Sequence, residues 1–303
     1  MPPFPSLHRP SVTHHAKAKI NLALAVGPPR QSDGYHPIAS WMARLDLADE
    51  LHLTRLDEGD LSRYAILWHD DAPRPTPIDW SITKDLAVRA HLRLQDHIGR
   101  ELPVQLRLRK RIPVGGGLAG GSADAAAMLL ACNDLFDLNL SLDDDLTPIA
   151  AELGSDVAYC LHDVPAFVDD FGARVTPTPP VRAHAVLVFP DFPCPTGAVY
   201  KAFDASLPPT YRDIDVRAMA DTAAIDAASL FNDLAPPACR VAPALTDILA
   251  HVTALAGVPA HVSGSGSTVF VICPQGAHQA DDLAARIPDA IPDTTARAVV
   301  IGA

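Results

Sequence analysis

The chain has 303 residues, a formal net charge of −12 and 48% hydrophobic residues, a balance typical of a folded globular protein. The negative charge argues against nucleic acid as a partner, so any phosphate ligand needs a local pocket that is basic or rich in N–H groups. No apolar run approaches the roughly 20 residues that a membrane-spanning helix needs. The length favours two domains.

The cysteines indicate the redox environment. There are five of them, an odd number without the paired spacing of a zinc site: Cys132, Cys160, Cys194, Cys239 and Cys273. We therefore expect reduced thiols and a cytoplasmic protein. The proline-bearing first ten residues do not resemble a signal peptide, and we expect them to form a frayed extension.

The first predicted element is a strand over residues 12–26, where Ile20, Leu22 and other apolar residues alternate. In a strand, Lys19 and Asn21 share the face opposite Ile20 and Leu22. Such a polar pair is often no more than the solvated face of a sheet. A turn-rich loop with Tyr35 and His36 follows it. Residues 40–55 alternate again and predict a β-meander, and residues 79–97 predict a helix.

The most distinctive stretch is glycine-rich, with five glycines within residues 115–121. It follows a predicted strand over residues 104–109 and precedes an Ala- and Leu-rich helix that we expect from Ser122 to Asn133. Glycines allow close approach of backbone N–H groups, and a helix N-terminus adds free donors and a positive dipole end. This order predicts a phosphate-binding loop rather than a flexible linker. A dinucleotide loop and a Walker loop fit poorly, since neither the expected acidic residue nor the Lys-Ser/Thr pair follows.

Beyond this loop, residues 142–153 predict a helix that ends at Gly154, followed at once by Ser155 and Asp156. Short strands at 164–168 and 174–175 come next, and a proline-rich segment near 172–182 is the best domain boundary. The remainder predicts a strand (185–190), a loop turning into a helix within 194–201, helical segments around 215–236 and 242–256, a glycine-rich hairpin (261–272), a helix (277–286) and a last strand (296–301).

Several of these segments together resemble the GHMP small-molecule kinases. The residues 113–122 are similar to the phosphate loop of that family, and 18–22, 33–36 and 154–157 resemble its other segments. The segments 231–234 and 263–266 support the resemblance in the C-terminal half.

The resemblance implies an α+β fold with two domains. It predicts an N-terminal, ribosomal-protein-S5-like βα domain over residues 1–175 and a C-terminal, ferredoxin-like α/β-plait domain over residues 176–303.

The same resemblance implies an ATP-dependent kinase. Its catalytic residues would be Asp156, as the base for a substrate hydroxyl, and Lys19, as the charged partner of that base. The ATP-binding residues it implies are Lys110, Pro113, Val114, Gly115, Gly116, Gly117, Leu118, Ala119, Gly120, Gly121, Ser122 and Ala123. Mg²⁺ is expected with ATP, and no residues are predicted as its ligands.

The substrate implied by the resemblance is methylerythritol linked to cytidine diphosphate. Tyr35 and Tyr200 would sandwich the cytosine ring, His36 would hydrogen-bond it, and Asn21 and Thr196 would contact the substrate. Partners other than substrate and ATP are not expected: no nucleic acid, no membrane, and a monomer or weak homodimer.

Three positions depart from the common form of the family. Ala119 and Ala123 stand where glycine and serine are usual, and we expect Ala119 to be tolerated only with a negative φ. Lys84-Asp85-Leu86 replaces Asn-Leu, which leaves an adenine contact there open.

Two alternative functions remain. Another kinase of the family, of the mevalonate, galactose or homoserine type, would need a different substrate loop from Tyr35-His36. A nucleotide-binding module without turnover would have no need of the Lys19–Asp156 pair.

Overall fold

The computed structural model describes residues 9–206 and 210–302, so most of the predicted N-terminal extension lies outside the described residues. Strands and helices are mixed along the chain, as predicted. The strands are β1 (Ser11–Val26), β2 (Ile38–Arg55), β3 (Arg63–Trp68), β4 (Val104–Lys110), β5 (Ala166–Asp169), β6 (Arg174–Pro177), β7 (Ala183–Pro190), β8 (Phe231–Asn232), β9 (Ala260–Val262), β10 (Val269–Ile272) and β11 (Thr294–Ile301). The α-helices are α1 (Leu86–Ile98), α2 (Gly120–Leu135), α3 (Thr147–Leu153), α4 (Val157–Cys160), α5 (Thr196–Asp204), α6 (Asp213–Thr222), α7 (Ala235–Val241), α8 (Ala244–Ala256) and α9 (Ala277–Ala290).

A long antiparallel pair, β1 and β2, forms the centre of the sheet. Its register runs from Ser11 opposite Thr54 to Val26 opposite Ile38, with bulges after Lys17 and Asn21. The predicted meander over residues 40–55 is therefore wrong, because β2 is one continuous strand. Three further strands, β4, β5 and β11, pair with different parts of β2, so it has no free length at which to turn back.

The strands follow the order β3-β4-β2-β11-β7-β10-β9, with β1, β5, β6 and β8 attached to the side of this path. The C-terminal strands join β2 through Ile301, which lies opposite Leu45. Next to this pair, the Gly302 N–H donates to the Arg44 carbonyl at 2.8 Å. The division at residues 175/176 stays a prediction.

Helix α2 is buried because it is apolar on nearly all sides. It packs between α1 and the β1–β2 pair, with Ala125, Met128 and Leu129 fully buried. Helix α1 begins at Asp85, whose carboxylate accepts the N–H groups of Ala87 at 3.0 Å and Val88 at 3.4 Å. This N-cap starts the helix seven residues later than the predicted 79.

The C-terminal half contains the predicted hairpin and a helical region that a strand interrupts. Strands β9 and β10 form the predicted antiparallel pair around the glycine-rich turn. The helical segments predicted around 215–236 correspond to α6 and the start of α7, and α6 ends before Ala223, which adopts φ 51°. The chain then forms β8, whose Phe231 and Asn232 pair in parallel with Ala23 and Leu24 of β1. Tertiary pairing thus overrides the helical pattern there.

The predicted helix over residues 142–153 also differs at its start. Residues 142–146 form a wider, π-type turn, and the regular helix α3 follows it.

No helix of the described chain is long and apolar enough to span a bilayer. All five cysteines are free, and four of them are buried.

Candidate active site

A cavity of about 550 Å³ lies where the glycine-rich loop meets β1, the start of α4 and the start of α5. We call it the glycine-loop cavity. Most predicted site residues line it: Lys19, Asn21, Lys110, residues 113–122, Asp156, Thr196 and Tyr200. Segments distant in the sequence therefore meet around one space. Ala123 is buried in α2 and lies outside the cavity wall.

The glycine-rich loop is held in place by a loop from the C-terminal half of the chain, residues 263–266, which contacts it at Gly117. Gly117 has φ 74°, and a Cβ there would lie 2.1 Å from the Ser263 carbonyl oxygen. The Ser263 hydroxyl donates to the Gly117 carbonyl at 3.1 Å. Only glycine fits this close contact, which holds the loop open toward the cavity. The first turn of α2 follows directly and lines the cavity, where a helix N-terminus offers free N–H groups and a positive dipole end.

Ala119 is left-handed, with φ 56° and ψ 33°, so the expectation of a negative φ is wrong. The backbone is fixed at Ala119 and just before it: the Lys19 N–H donates to the Leu118 carbonyl at 3.1 Å, and the Ala123 N–H donates to the carbonyl of Ala119 itself at 2.8 Å. The left-handed residue lies where the chain passes from the loop into α2. An alanine in this conformation is strained by about 1–2 kcal/mol.

Lys19 and Asp156 form an ion pair at the floor of the cavity. Lys19 Nζ lies 3.4 Å from Asp156 Oδ2 and donates to Asn21 Oδ1 at 2.8 Å and to the Gly117 carbonyl at 3.2 Å. Asn21 in turn donates to the Ser40 hydroxyl at 2.8 Å. The predicted common strand face of Lys19 and Asn21 is confirmed. Lys19 is buried whereas the Asp156 side chain is 26% exposed, so the carboxylate remains open to a ligand.

The backbone around Asp156 is held by a second glycine contact. Asp156 lies immediately before α4 and makes no capping hydrogen bond with its side chain. Just before it, the Ser155 carbonyl packs against Gly172, where a Cβ would lie 2.3 Å from that oxygen. The carboxylate is therefore positioned by the backbone and by its ion pair with Lys19.

On the opposite wall, Thr196 begins α5 and its hydroxyl lies 3.0 Å from the Ser265 hydroxyl. Asn232 holds the 263–266 loop, since its amide donates to the carbonyls of Val262 at 2.8 Å and Gly264 at 2.7 Å. The C-terminal segments that carried the resemblance thus support the cavity.

A buried charge cluster behind the loop was missed by the sequence reasoning. Lys110 Nζ donates to Asp49 Oδ2 at 2.6 Å and to Asp124 Oδ2 at 2.5 Å. Burial alone would lower the pKa of Lys110, but Asp124 and Asp49 outweigh it and raise that pKa. Burial raises the pKa of Asp124 well above its ordinary value, against the opposing charge of Lys110. Lys110 lines the cavity with its ammonium already engaged by two carboxylates.

Asp85, which also lines the glycine-loop cavity, accepts a side-chain hydrogen bond in addition to capping α1. Trp80 Nε1 donates to Asp85 Oδ2 at 3.2 Å, and both residues line the cavity. The departure at this position therefore replaces an amide by a carboxylate that caps a helix.

A second cavity of about 360 Å³ adjoins the first and shares Ile38, Ser155 and Tyr200 with it. We call it the aromatic pocket, because Tyr35, His36, Phe171 and Tyr200 line it. Tyr35 is 68% exposed, whereas His36 is buried. Burial and then the charge of Asp156 raise the pKa of Tyr200 to about 12.

His36 is fixed by partners at both ring nitrogens. Nδ1 lies 2.8 Å from the Gly27 carbonyl, and Nε2 lies 3.1 Å from Asp204 Oδ1. Its ring is 5.3 Å from that of Tyr200, between centroids. Asp204 and Phe171 were not predicted as site residues; both come from segments whose sequence alone carries no signal of a pocket.

Known proteins resemble this chain in sequence. The model of the GHMP kinases N terminal domain matches residues 85–169. A 4-diphosphocytidyl-2-C-methyl-D-erythritol kinase of Caulobacter sp. (strain K31) is 38% identical over 92% of this chain and 94% of its own. The corresponding enzyme of Thermobifida fusca is 37% identical over 91% of each chain.

Solved structures agree as well. A crystal structure of 4-(cytidine 5'-diphospho)-2C-methyl-D-erythritol kinase superposes with a TM-score of 0.74 and 29% identity, covering 96% of this chain and all of that one. Homoserine kinase of Cytophaga hutchinsonii, at 19% identity and a TM-score of 0.70, shares the fold.

The fold and the glycine loop define a small-molecule kinase of the GHMP class, with the mixed α+β architecture of that class. The identities above, over nine-tenths of the chain, place it more narrowly. The chain belongs to the 4-diphosphocytidyl-2-C-methyl-D-erythritol kinase family.

Proposed function

We propose that the protein transfers the γ-phosphoryl group of ATP to the 2-hydroxyl of 4-diphosphocytidyl-2-C-methyl-D-erythritol. The products are the 2-phosphate and ADP, in non-mevalonate isoprenoid precursor biosynthesis. The observation that carries this proposal is the junction of two cavities: the aromatic pocket opens beside an anion-binding loop, and the Asp156 carboxylate, which lines the glycine-loop cavity, follows the shared wall residue Ser155. A substrate with a flat base at one end and a hydroxyl at the other fits this arrangement.

The reaction needs positioning and charge neutralisation more than covalent chemistry by the protein. Asp156 would accept the proton of the substrate 2-hydroxyl. The oxygen of that hydroxyl would form a bond to the γ-phosphorus of ATP, while the bond between the γ-phosphorus and the β–γ bridging oxygen breaks. ADP then leaves with the electron pair of that bond. The ion pair with Lys19 at 3.4 Å supports this role, since the ammonium, which also donates to the Gly117 carbonyl, holds the carboxylate beside the glycine loop.

The glycine loop would hold the triphosphate through backbone N–H groups and the start of α2. Lys19, which is buried next to the loop, would neutralise charge that develops on the transferring group. Lys110 would contact ATP from the cavity wall, where its ammonium group also binds the carboxylates of its buried cluster.

Mg²⁺ that accompanies ATP usually takes one or two protein oxygens, with phosphate and water completing its shell. Among the described residues, no group of three His, Cys, Asp or Glu side chains is placed to hold a metal alone. One oxygen fits the smaller requirement: Asp124 Oδ1 is buried without a hydrogen-bond partner in the described chain, and both Asp124 and Ser122, two residues before it, line the glycine-loop cavity. These two residues would hold the ion, which would supply further charge neutralisation.

In the aromatic pocket, cytosine would lie between Tyr35 and Tyr200, with Asn21 and Thr196 near the polyol. His36 would hydrogen-bond the base through Nε2, with the base taking the place of the half-exposed Asp204 carboxylate. The exposed ring of Tyr35 supports this role, because it is available to stack on a ligand.

The proposal extends to the remaining properties of the chain. They are a monomer or weak homodimer and a cytoplasmic location, and the five free thiols support the latter.

The decisive experiment measures ADP release with three acceptors: 4-diphosphocytidyl-2-C-methyl-D-erythritol, homoserine and mevalonate. We expect turnover with the first alone. Comparable turnover with homoserine or mevalonate would assign the chain to another kinase of the class. Binding of ATP and CDP, with no ADP released in the presence of any of the three acceptors, would favour a nucleotide-binding module.

A further inference from the structure

The turn between β5 and β6 is strained at the edge of the aromatic pocket. Three consecutive residues are left-handed: Asp170 with φ 52°, Phe171 with φ 61° and Gly172 with φ 90°. A bulky residue such as phenylalanine rarely adopts this conformation, which costs about 1–2 kcal/mol. Strain of this kind persists only where the surrounding structure imposes it, and it concentrates at ligand sites.

Contacts on both sides impose this turn. Before and after it, Asp169 and Arg174 are paired across the two strands, with Arg174 Nε donating to Asp169 Oδ1 at 2.5 Å. Within the turn, Gly172 packs directly on the Ser155 carbonyl. Phe171, within the turn of the β5–β6 hairpin, is thereby held next to the backbone that leads to Asp156.

The Phe171 ring also contacts the loop that carries Tyr35. The Arg30 guanidinium carbon lies 4.2 Å from the centroid of the Phe171 ring. Arg30 Nε donates to Asp33 Oδ1 at 3.0 Å, and the same carboxylate oxygen accepts the Tyr35 N–H at 3.1 Å. Arg30 N–H donates to the Tyr35 carbonyl at 2.7 Å. Phe171 is thus connected to Tyr35 through one stacked guanidinium.

We propose that Phe171 is a specificity-determining residue, which forms a third aromatic wall against the pyrimidine base beside Tyr35 and Tyr200. The ring lines the aromatic pocket, where it would exclude water from the base and keep the Tyr35 loop close through Arg30. This inference rests on the proposed function, because that function supplies the cytosine base.

Direct calorimetric binding of CDP tests this contact without turnover. Stacking of a base on an aromatic ring contributes about 1–3 kcal/mol, so Phe171→Ala should raise the Kd of CDP about tenfold. The KM for the cytidine substrate should rise in parallel, whereas the KM for ATP should not change. Phe171→Trp keeps an aromatic face and should retain CDP affinity, whereas Phe171→Leu keeps bulk and should lose it.

Phe171→Gly keeps the test informative should the alanine variant fold poorly. Glycine relieves the left-handed strain, so the midpoint of thermal unfolding should rise while CDP affinity falls. An unchanged Kd for CDP in both Phe171→Gly and Phe171→Leu would overturn the proposal, as would an equal rise in the KM for ATP. A wild-type protein that binds CDP but does not phosphorylate the cytidine substrate would refute the proposed reaction and leave this contact intact.

Discussion

The glycine-loop cavity and the aromatic pocket are made of different parts of the chain. The first is built largely from backbone and from buried polar groups that fix one another, such as Lys19, Asn21 and Ser40. The second is built from side chains on four separate segments, and one of them, Tyr35, is mostly exposed. The difference indicates a preformed site for the phosphates, which are common to all ATP-dependent kinases. It also indicates an adjustable site for the base that distinguishes one acceptor from another.

The largest effect should come from the carboxylate near the junction of the two cavities. Asp156→Ala and Asp156→Asn should lower kcat by about 10²–10⁴-fold, because general-base catalysis contributes that much, while ATP and CDP still bind. Steady-state kinetics and calorimetry measure the two quantities. Asp163→Asn is the matched control, since this exposed carboxylate pairs with Lys17 and lies outside both cavities. An unchanged kcat in the Asp156 variants would remove the assigned base.

The preformed character of the glycine loop can be tested at two glycines with similar φ. Both Gly115→Ala and Gly117→Ala should lose about 1–2 kcal/mol of unfolding free energy to left-handed strain. Gly117→Ala should lose about 1–3 kcal/mol more through overpacking against Ser263, and its KM for ATP should rise. Urea unfolding measures the difference. Equal losses in the two variants would mean that the Ser263 contact yields readily.

The aromatic pocket should respond through affinity for one substrate only. Tyr35→Ala removes a stacking ring worth about 1–3 kcal/mol, so the KM for the cytidine substrate should rise about tenfold. The KM for ATP should stay the same, and Tyr35→Phe should behave like the wild type. A similar rise in both KM values would show that the two cavities do not act separately.

Ala119 offers a gain in stability within the preformed region. Ala119→Gly should raise the free energy of unfolding by about 1 kcal/mol, because glycine adopts the left-handed conformation without strain. Ala123→Gly, in the buried part of α2, should instead lower it by about 1 kcal/mol. Thermal unfolding distinguishes the two. A loss of stability in both variants would contradict strain at residue 119.

The smallest effect is an expected insensitivity to pH. The phenol of Tyr200 has a pKa raised to about 12, so it stays neutral, and the KM for the cytidine substrate should not depend on this group between pH 7 and about 10. Because the folded-state pKa is the higher one, the phenol's contribution to stability is lost only as pH rises toward 12. Tyr200→Phe should have the same pH profile of KM. A rise near pH 10 in the wild type alone would contradict this.

The sequence alone predicted the parts of the site that depend on local pattern. Strand alternation was sufficient to place Lys19 and Asn21 on one face, and the glycine run was sufficient to predict a loop before a helix. Resemblance to a family was needed for Asp156, because a lone aspartate after a helix carries no local signal.

The remaining features depend on contacts between distant segments. Ala119 is left-handed where the Lys19 N–H holds the Leu118 carbonyl and the Ala123 N–H holds the carbonyl of Ala119 itself, and these contacts override the ordinary preference of alanine. Asp49, Lys110 and Asp124 meet only after β2, β4 and α2 have packed. Phe171 and Asp204 reach the aromatic pocket from a hairpin turn and a helix end, and neither position has a periodicity that indicates a ligand.

The contact between Gly117 and Ser263 also sets an order of events during synthesis. The two residues are 146 positions apart, so at about 5–20 residues per second Gly117 is added to the chain roughly 7–30 s before Ser263. During that interval the nascent chain has the loop and α2 without the contact that holds Gly117 in place. The phosphate site therefore becomes complete late in translation, and a nascent chain stalled before residue 263 has a glycine loop that lacks this support.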